Sequence, residues 1–215
     1  MKKSLQLVMF DLDGTLADTG PDLADSVNFT RREFGLSPLP DHAVFVNVGR
    51  GIEHLVKRSL PEKGPDQLPE AMRVFLAYYE THLLDRTVLY PGVKDVLRYF
   101  ASKRRAVVSN KIHRLTLAIV QGLGVAAEFD AILGGDSFAD KKPHPAMLQS
   151  VLEQFQIAPT DALIVGDGDT DIEAGQRAGV ITCGVTYGMG NEDALRAAQP
   201  DVIIDRLAGL ADYFC

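Results

Sequence analysis

Apolar residues cluster along this chain in short runs that end abruptly in polar residues. The runs are Leu7–Phe10, Ala106–Val108, Ala131–Leu133, Ala162–Val165, Ile181–Val185 and Val202–Ile204. Near-continuous apolar runs of this length read as strands buried on both faces, as in a parallel sheet. Helix-length amphipathic segments lie between most of them, at Val93–Lys103, Arg114–Leu123, Pro145–Phe155 and Thr170–Ala178. The alternation predicts an α/β fold, a doubly wound parallel sheet. From about Pro21 to Tyr90 the rhythm breaks. Helical patterns at Asp22–Phe34, Gly51–Leu60 and Leu68–Leu84 are separated by Pro- and Gly-bearing turns, while Ala43–Val48 reads equally as strand or helix. This predicts a helical insertion after the first strand, with Pro91-Gly92 marking the return to the sheet.

In an open α/β sheet, ligands bind beyond the carboxyl ends of the strands. Four polar segments fall there. Asp11 and Asp13 follow the first strand, two residues apart on extended backbone, so their carboxylates point to the same side. Paired carboxylates need a cation or a shared proton. Hard oxygen donors favour Mg²⁺, which would also relieve repulsion between a carboxylate nucleophile and an anionic phosphoryl group. Asp13 is then suited to protonating a leaving oxygen and later deprotonating water. Taken alone, Asp-Leu-Asp-Gly also reads as a plain strand-ending turn. A second acidic cluster, Asp167, Asp169 and Asp171, follows the run at Ala162–Val165. Asp167 is the natural metal ligand of the three, Asp171 faces the same cleft if a helix starts near Asp169, and Asp169 reads as a helix cap. A Ca²⁺ loop is excluded, because its twelfth position is Ala178, where a glutamate is required.

Ser109 and Asn110 end a strand before a helix. There they suit either phosphate oxygens or helix capping. Lys142, tied down by Pro143, can neutralise both a nucleophile and a transferring phosphate, whereas Lys141 reads as an exposed lysine. The five histidines show no metal-ligand spacing, and no nucleophile elbow is present. The four segments support one another more strongly than any one of them stands alone.

The 215 residues suit one large domain or a domain with a smaller insertion. A formal net charge of −7 without a dense Lys/Arg run implies neither nucleic acid nor an anionic membrane as partner. Any positive charge for an anionic substrate must therefore be local to its site. The two cysteines argue against a disulfide framework and fit a reducing cytoplasm. The N-terminal apolar stretch is too short for a signal peptide or a membrane span.

With these segments in this order, the chain resembles the haloacid dehalogenase-like hydrolase superfamily over essentially its whole length. The matching residues are Asp11-Leu-Asp-Gly-Thr15, Ser109-Asn110, Lys142-Pro143 and Gly166-Asp167 through Asp171. The resemblance implies a Rossmann-like core over 1–16 and 91–215 and an α-helical cap over 17–90. It implies Asp11 as nucleophile, Asp13 as general acid/base, Ser109 and Asn110 at the phosphate, and Lys142 stabilising the nucleophile's charge. It also implies Mg²⁺ held by Asp11, the backbone carbonyl of Asp13, and Asp167, with Asp171 in support.

Within the superfamily the chain is most similar to the phosphoglycolate phosphatase group, through the cap position, Val48-Gly-Arg-Gly51, Thr186-Tyr-Gly-Met-Gly190 and Pro200-Asp-Val-Ile-Ile204. Gly49, Arg50 and Gly51 are thereby implied in substrate binding. Arg50 stands where the group commonly has Asn, and it reads either as a clamp for a carboxylate or second phosphate or as a solvated loop residue. The implied partner is a small phosphorylated metabolite, bound by a monomer or homodimer. A sugar-phosphate mutase, a pyrophosphatase or another small-metabolite phosphatase are the alternatives on the same fold.

Overall fold

A computed structural model describes residues 2–215. In chain order the elements are β1 (Leu7–Phe10), β2 (Ala17–Asp18), α1 (Gly20–Glu33), α2 (Asp41–Phe45), α3 (Ile52–Ser59), α4 (Leu68–Tyr79), β3 (Val88–Leu89), α5 (Val93–Tyr99), β4 (Arg104–Val108), α6 (His113–Gly122), β5 (Ala131–Leu133), α7 (Ala146–Phe155), β6 (Ala162–Gly166), α8 (Asp169–Ala178), β7 (Ile181–Val185), α9 (Glu192–Ala197), β8 (Val202–Ile204) and α10 (Leu210–Tyr213). Six strands form one parallel sheet in the order β5-β4-β1-β6-β7-β8.

The chain starts at the centre of this sheet, runs outward to one edge, then returns to build the other half from β6. This is the Rossmann order, and its switch point lies between β1 and β6. The register pairs Phe10 with Val107 on one side and Val165 on the other, so the residues following β1 and β6 emerge side by side.

Strand periodicity explains why the runs looked continuously apolar. Val8, Phe10, Leu163 and Val165 face one buried cluster, while Leu7, Met9, Ala162 and Ile164 face a second, with Met147, Leu148, Val151 and Ala174 from α7 and α8. Successive side chains point to opposite faces, and here both faces are covered.

The insertion is a helical bundle in which α1 packs on α2 and α4, and α3 on α4. Helix α1 begins with Pro21 and Asp22 and ends with Arg31 and Arg32, in keeping with the helix macrodipole. The stretch that read as strand or helix is helical at Asp41–Phe45. Two predicted helices are shorter than their patterns. The segment from Leu68 stops at Tyr79 rather than Leu84, and that from Val93 stops at Tyr99 rather than Lys103.

Strands β2 and β3 were not foreseen. They pair antiparallel, Ala17 with Leu89 and Asp18 with Val88, and so tie together the two crossings between sheet and bundle. Two residues each carry no detectable periodicity. Helices α9 and α10 were missed for the same reason of length.

Asp22 anchors this crossing. Its buried carboxylate accepts bonds from the Arg86 and Thr87 backbone N–H groups at 2.9–3.1 Å and from the Thr87 hydroxyl at 2.7 Å. Removing the acceptor strands buried donors. Asp22→Ala is expected to destabilise the protein by about 2–3 kcal/mol, read as a lower urea midpoint.

Candidate active site

Asp11 continues the β1 ladder, its N–H donating to Val165 O at 2.9 Å, and the chain then turns at Gly14. Gly14 has φ +80°, and a Cβ there would sit 2.0 Å from Asp167 Oδ2. Only glycine lets the β1 loop pass this close to the β6 loop. The two acidic segments consequently converge. Asp11, Asp167 and Asp171 are all buried and each places a carboxylate oxygen within 4.8 Å of the others.

Lys142 reaches this cluster from the segment before α7. Its Nζ donates to Val108 O and Asp171 Oδ1, both at 2.6 Å, and stands 3.0 Å from Asp11 Oδ1. The pairing with Asp11 is one of charge, since Asp11 Oδ1 accepts no well-aligned hydrogen bond. Burial works against the Lys142 charge, but Asp11 and Asp171 outweigh it and hold its pKa above the usual lysine range.

The carboxylates respond in the opposite direction. Burial raises Asp11 to about 7, with Asp171 and Asp13 adding repulsion and Lys142 only partly offsetting it. Burial, then the charges of Asp11 and Asp171, raise Asp167 to about 8, although Asp167 Oδ2 accepts from the Met189 and Gly190 N–H groups at 2.8 Å.

Three carboxylates against one ammonium leave a cluster of net charge −2 when ionised. Hard oxygen donors, an unbonded buried oxygen on Asp11 and an excess of two negative charges fit a divalent cation such as Mg²⁺. The residues able to hold it are Asp11, Asp167 and Asp171, with the Asp13 backbone beside them. No histidine belongs to this cluster.

Asp13 has a separate set of partners. Its Oδ1 accepts from the Thr19 hydroxyl at 2.5 Å and lies 3.3 Å from Lys111 Nζ. Lys111, buried at 3% exposure, also donates to the Tyr79 hydroxyl at 2.7 Å and sits 4.6 Å from that ring's centroid. Sequence reasoning missed both Lys111 and Tyr79. Lys111 directly follows Ser109-Asn110, but nothing in its neighbours announces burial.

Ser109 is buried and does not cap α6, whose first residue His113 follows Ile112. Its hydroxyl accepts from Lys111 N at 3.3 Å, and its side chain lines a cavity with Asp11 and Asp13. Asn110 lines the same cavity, but its amide is bonded to backbone. It donates to Gly49 O at 2.8 Å and Lys142 O at 2.9 Å and accepts from Lys142 N at 2.8 Å. Gly49 and Gly51 also line this cavity, which holds about 330 Å³ including its open mouth.

Arg50 turns to a second cavity of about 540 Å³, with Asp167, Asp169 and Asp171. Its guanidinium, half exposed, meets Asp169 at 2.6 Å across the seam between bundle and sheet. Asp169 is thus the first residue of α8 and a partner of Arg50. The α8 cap is Gly168, whose N–H donates to Asp171 at 3.2 Å. Lys141, expected in solvent, is half-buried with its ammonium against Gly51.

Fold and site together define a Rossmann-like α/β protein that gathers buried aspartates and a shared lysine at its switch point, beneath a helical insertion. The chain belongs to the haloacid dehalogenase-like hydrolase family, whose model matches residues 8–185. A Vibrio vulnificus protein described as a phosphoglycolate phosphatase is 36% identical over 220 residues, covering 98% of this chain and 96% of its own length. One from Pseudomonas putida with the same description is 39% identical over 214 residues, covering 95% and 78%. The crystal structure of a protein from Haemophilus somnus, described as a predicted phosphoglycolate phosphatase, superposes with a TM-score of 0.92 at 32% identity over 97% of both chains.

The raised carboxyls give a pH signature. In metal-free protein, folded Asp11 and Asp167 keep protons that the unfolded chain releases near pH 4. Their contribution to stability is fully present below that pH and is lost as pH rises through about 7 and 8. A cation competes with those protons. The rise in Tm on adding Mg²⁺ is therefore expected to be larger at pH 8 than at pH 6, and equal shifts would contradict the assignment.

Proposed function

We propose that this protein is a Mg²⁺-dependent phosphatase that hydrolyses a small phosphomonoester, 2-phosphoglycolate or a close relative, through an aspartyl-phosphate on Asp11. The observation that carries this reading is the buried Asp11 carboxylate. Its Oδ1 has a charge partner in Lys142 at 3.0 Å, Asp13 stands beside it, and the residue lines the open cavity. The full-length likeness to chains described as phosphoglycolate phosphatases supports the substrate class.

In this reading Asp11 attacks phosphorus in line with the leaving oxygen. Ser109 and the strand-end backbone hold the phosphoryl oxygens, and Lys142 offsets charge on Asp11 and on the transferring group. Asp13, oriented by Thr19 and Lys111, gives a proton to the departing alkoxide and then takes one from the water that hydrolyses the acyl-phosphate. Bound Mg²⁺, held by Asp11, the Asp13 carbonyl, Asp167 and Asp171, supplies neutralisation of the nucleophile and the anionic phosphoryl oxygens.

Asn110 acts as a positioning residue, because it fixes the backbone of Lys142 and of Gly49. Residues 17–90 act as the cap domain over 1–16 and 91–215, with Leu23, Val48, Ile52 and Leu55 roofing the cavity and excluding bulk water. Among the described residues no helix is long and apolar enough to cross a membrane. The free thiols, Cys183 buried and Cys215 exposed, suit a reducing cytoplasm.

Asp11→Asn removes the nucleophile while keeping its shape and relieving a buried like-charge cluster. Phosphate release from 2-phosphoglycolate is expected to fall roughly 10³-fold or more, with Tm equal to or above wild type. Substantial turnover by the folded variant would overturn the nucleophile assignment.

A further inference from the structure

Lys111 is a buried cation that the steps above use only as a support for Asp13. Burying an ammonium is costly unless charge and hydrogen bonds compensate it, and a smaller polar side chain could orient a carboxylate at less cost. Its placement gives it a second use. Lys111 lines the cavity that holds Asp11, Asp13 and Ser109, and it is the only basic side chain among the described residues that do so. Asn110, Gly49 and Gly51 add uncharged polar and backbone surface, and the rest of the wall is apolar, made by Leu23, Val48, Ile52 and Leu55.

Three other cations lie near the centre without lining this cavity, and one of them, Lys141, sets its ammonium against Gly51. Lys142 is bound to Val108 O and Asp171 and charge-paired with Asp11. Arg50 is paired with Asp169 and opens on the other cavity. An ammonium has three donors, and Tyr79 and Asp13 account for two on Lys111. Its Nζ also stands 3.3 Å from the carboxylate oxygen of the group that meets the leaving oxygen. An anionic substituent one carbon beyond that oxygen falls within its reach. Elsewhere in this cavity the substituent would face carboxylates, hydrocarbon or uncharged polar groups, with no second cationic side chain in the lining.

We propose that Lys111, held by Tyr79 of the insertion, is the specificity-determining residue that binds the carboxylate on the leaving group of the substrate. The assignment rests on the phosphatase reading above and deepens it. It names the substrate class as short phosphate esters with a carboxylate on the carbon next to the bridging oxygen. It also moves recognition from Arg50, the residue that sequence alone singled out, to a lysine of the sheet domain. Tyr79 belongs to α4, so the subsite is complete only with the insertion seated over the sheet.

The test compares 2-phosphoglycolate with 2-hydroxyethyl phosphate, which has the same length and no carboxylate, in wild type and Lys111→Met. Loss of support for Asp13 lowers kcat/KM for both esters alike. Loss of a carboxylate contact lowers only the first, so the ratio of the two constants isolates the proposed role. That ratio is expected to fall roughly 10- to 100-fold, and glycolate should lose its competitive inhibition of aryl phosphate hydrolysis to a similar degree.

A ratio preserved within about threefold overturns the assignment of Lys111 while leaving the phosphatase reading intact. A wild-type enzyme that shows no preference for the carboxylate-bearing ester overturns the substrate reading and this assignment with it. Should Lys111→Met not fold, Tyr79→Phe keeps the ring and removes the hydroxyl that holds Nζ. The same ratio is then expected to fall at least threefold, and an unchanged ratio overturns the proposal.

Discussion

Like charges crowd together at one buried edge of the sheet, and most of the local structure answers that crowding. Asp11, Asp167 and Asp171 lie within reach of a single cation, with Asp13 alongside, in surroundings that raise the first two carboxyls far above their ordinary range. One ammonium, that of Lys142, is shared between Asp11 and Asp171. Backbone N–H groups of Met189 and Gly190 satisfy Asp167, and Thr15 adds a hydroxyl at 3.4 Å. Even so, negative charge remains in excess. A folded protein keeps such an arrangement when the excess serves chemistry, because hydrophobic replacements would stabilise it more.

The same constraint explains how the helical insertion sits. The contacts that cross from the sheet to the bundle include Asn110 to Gly49 O, Arg50 to Asp169, Lys111 to Tyr79 and Arg114 to Glu80. They are not equivalent. The Arg50 pair is half exposed, and exposed ion pairs contribute about 0–1 kcal/mol. The Lys111–Tyr79 contact is buried beside Asp13, and breaking it would leave a charge short of partners in a poorly hydrated site. Among these polar contacts the buried one therefore contributes most to seating the bundle. Asn110 joins both ends of the problem, since one amide fixes the backbone of Lys142 and reaches the glycine loop of the insertion.

Local chemistry made much of this legible from sequence. Strands buried on both faces are continuous apolar runs, so all six appear in the sequence within two residues of their observed ends. The polar residues that terminate them lie at the sheet's carboxyl edge by construction, which brings Asp11, Asp13, Ser109 and Asp167 into view together. Where the reading fell short, the signal was short or non-local. The two-residue strands β2 and β3 have no periodicity, and the ends of α4 and α5 lie inside their apolar patterns.

The sequence by itself determined the parallel sheet, the position of the helical insertion and the identity of the acidic and basic groups at the strand ends, because each follows from residue type and spacing along one segment. Only the tertiary structure decided which charge meets which. It set Asp169 against Arg50, placed Lys141 against Gly51, turned Asn110 toward backbone, and buried Lys111 between Asp13 and an aromatic ring some thirty positions away. Burial and pairing belong to the surroundings of a side chain, and those surroundings are assembled from segments that no local pattern relates.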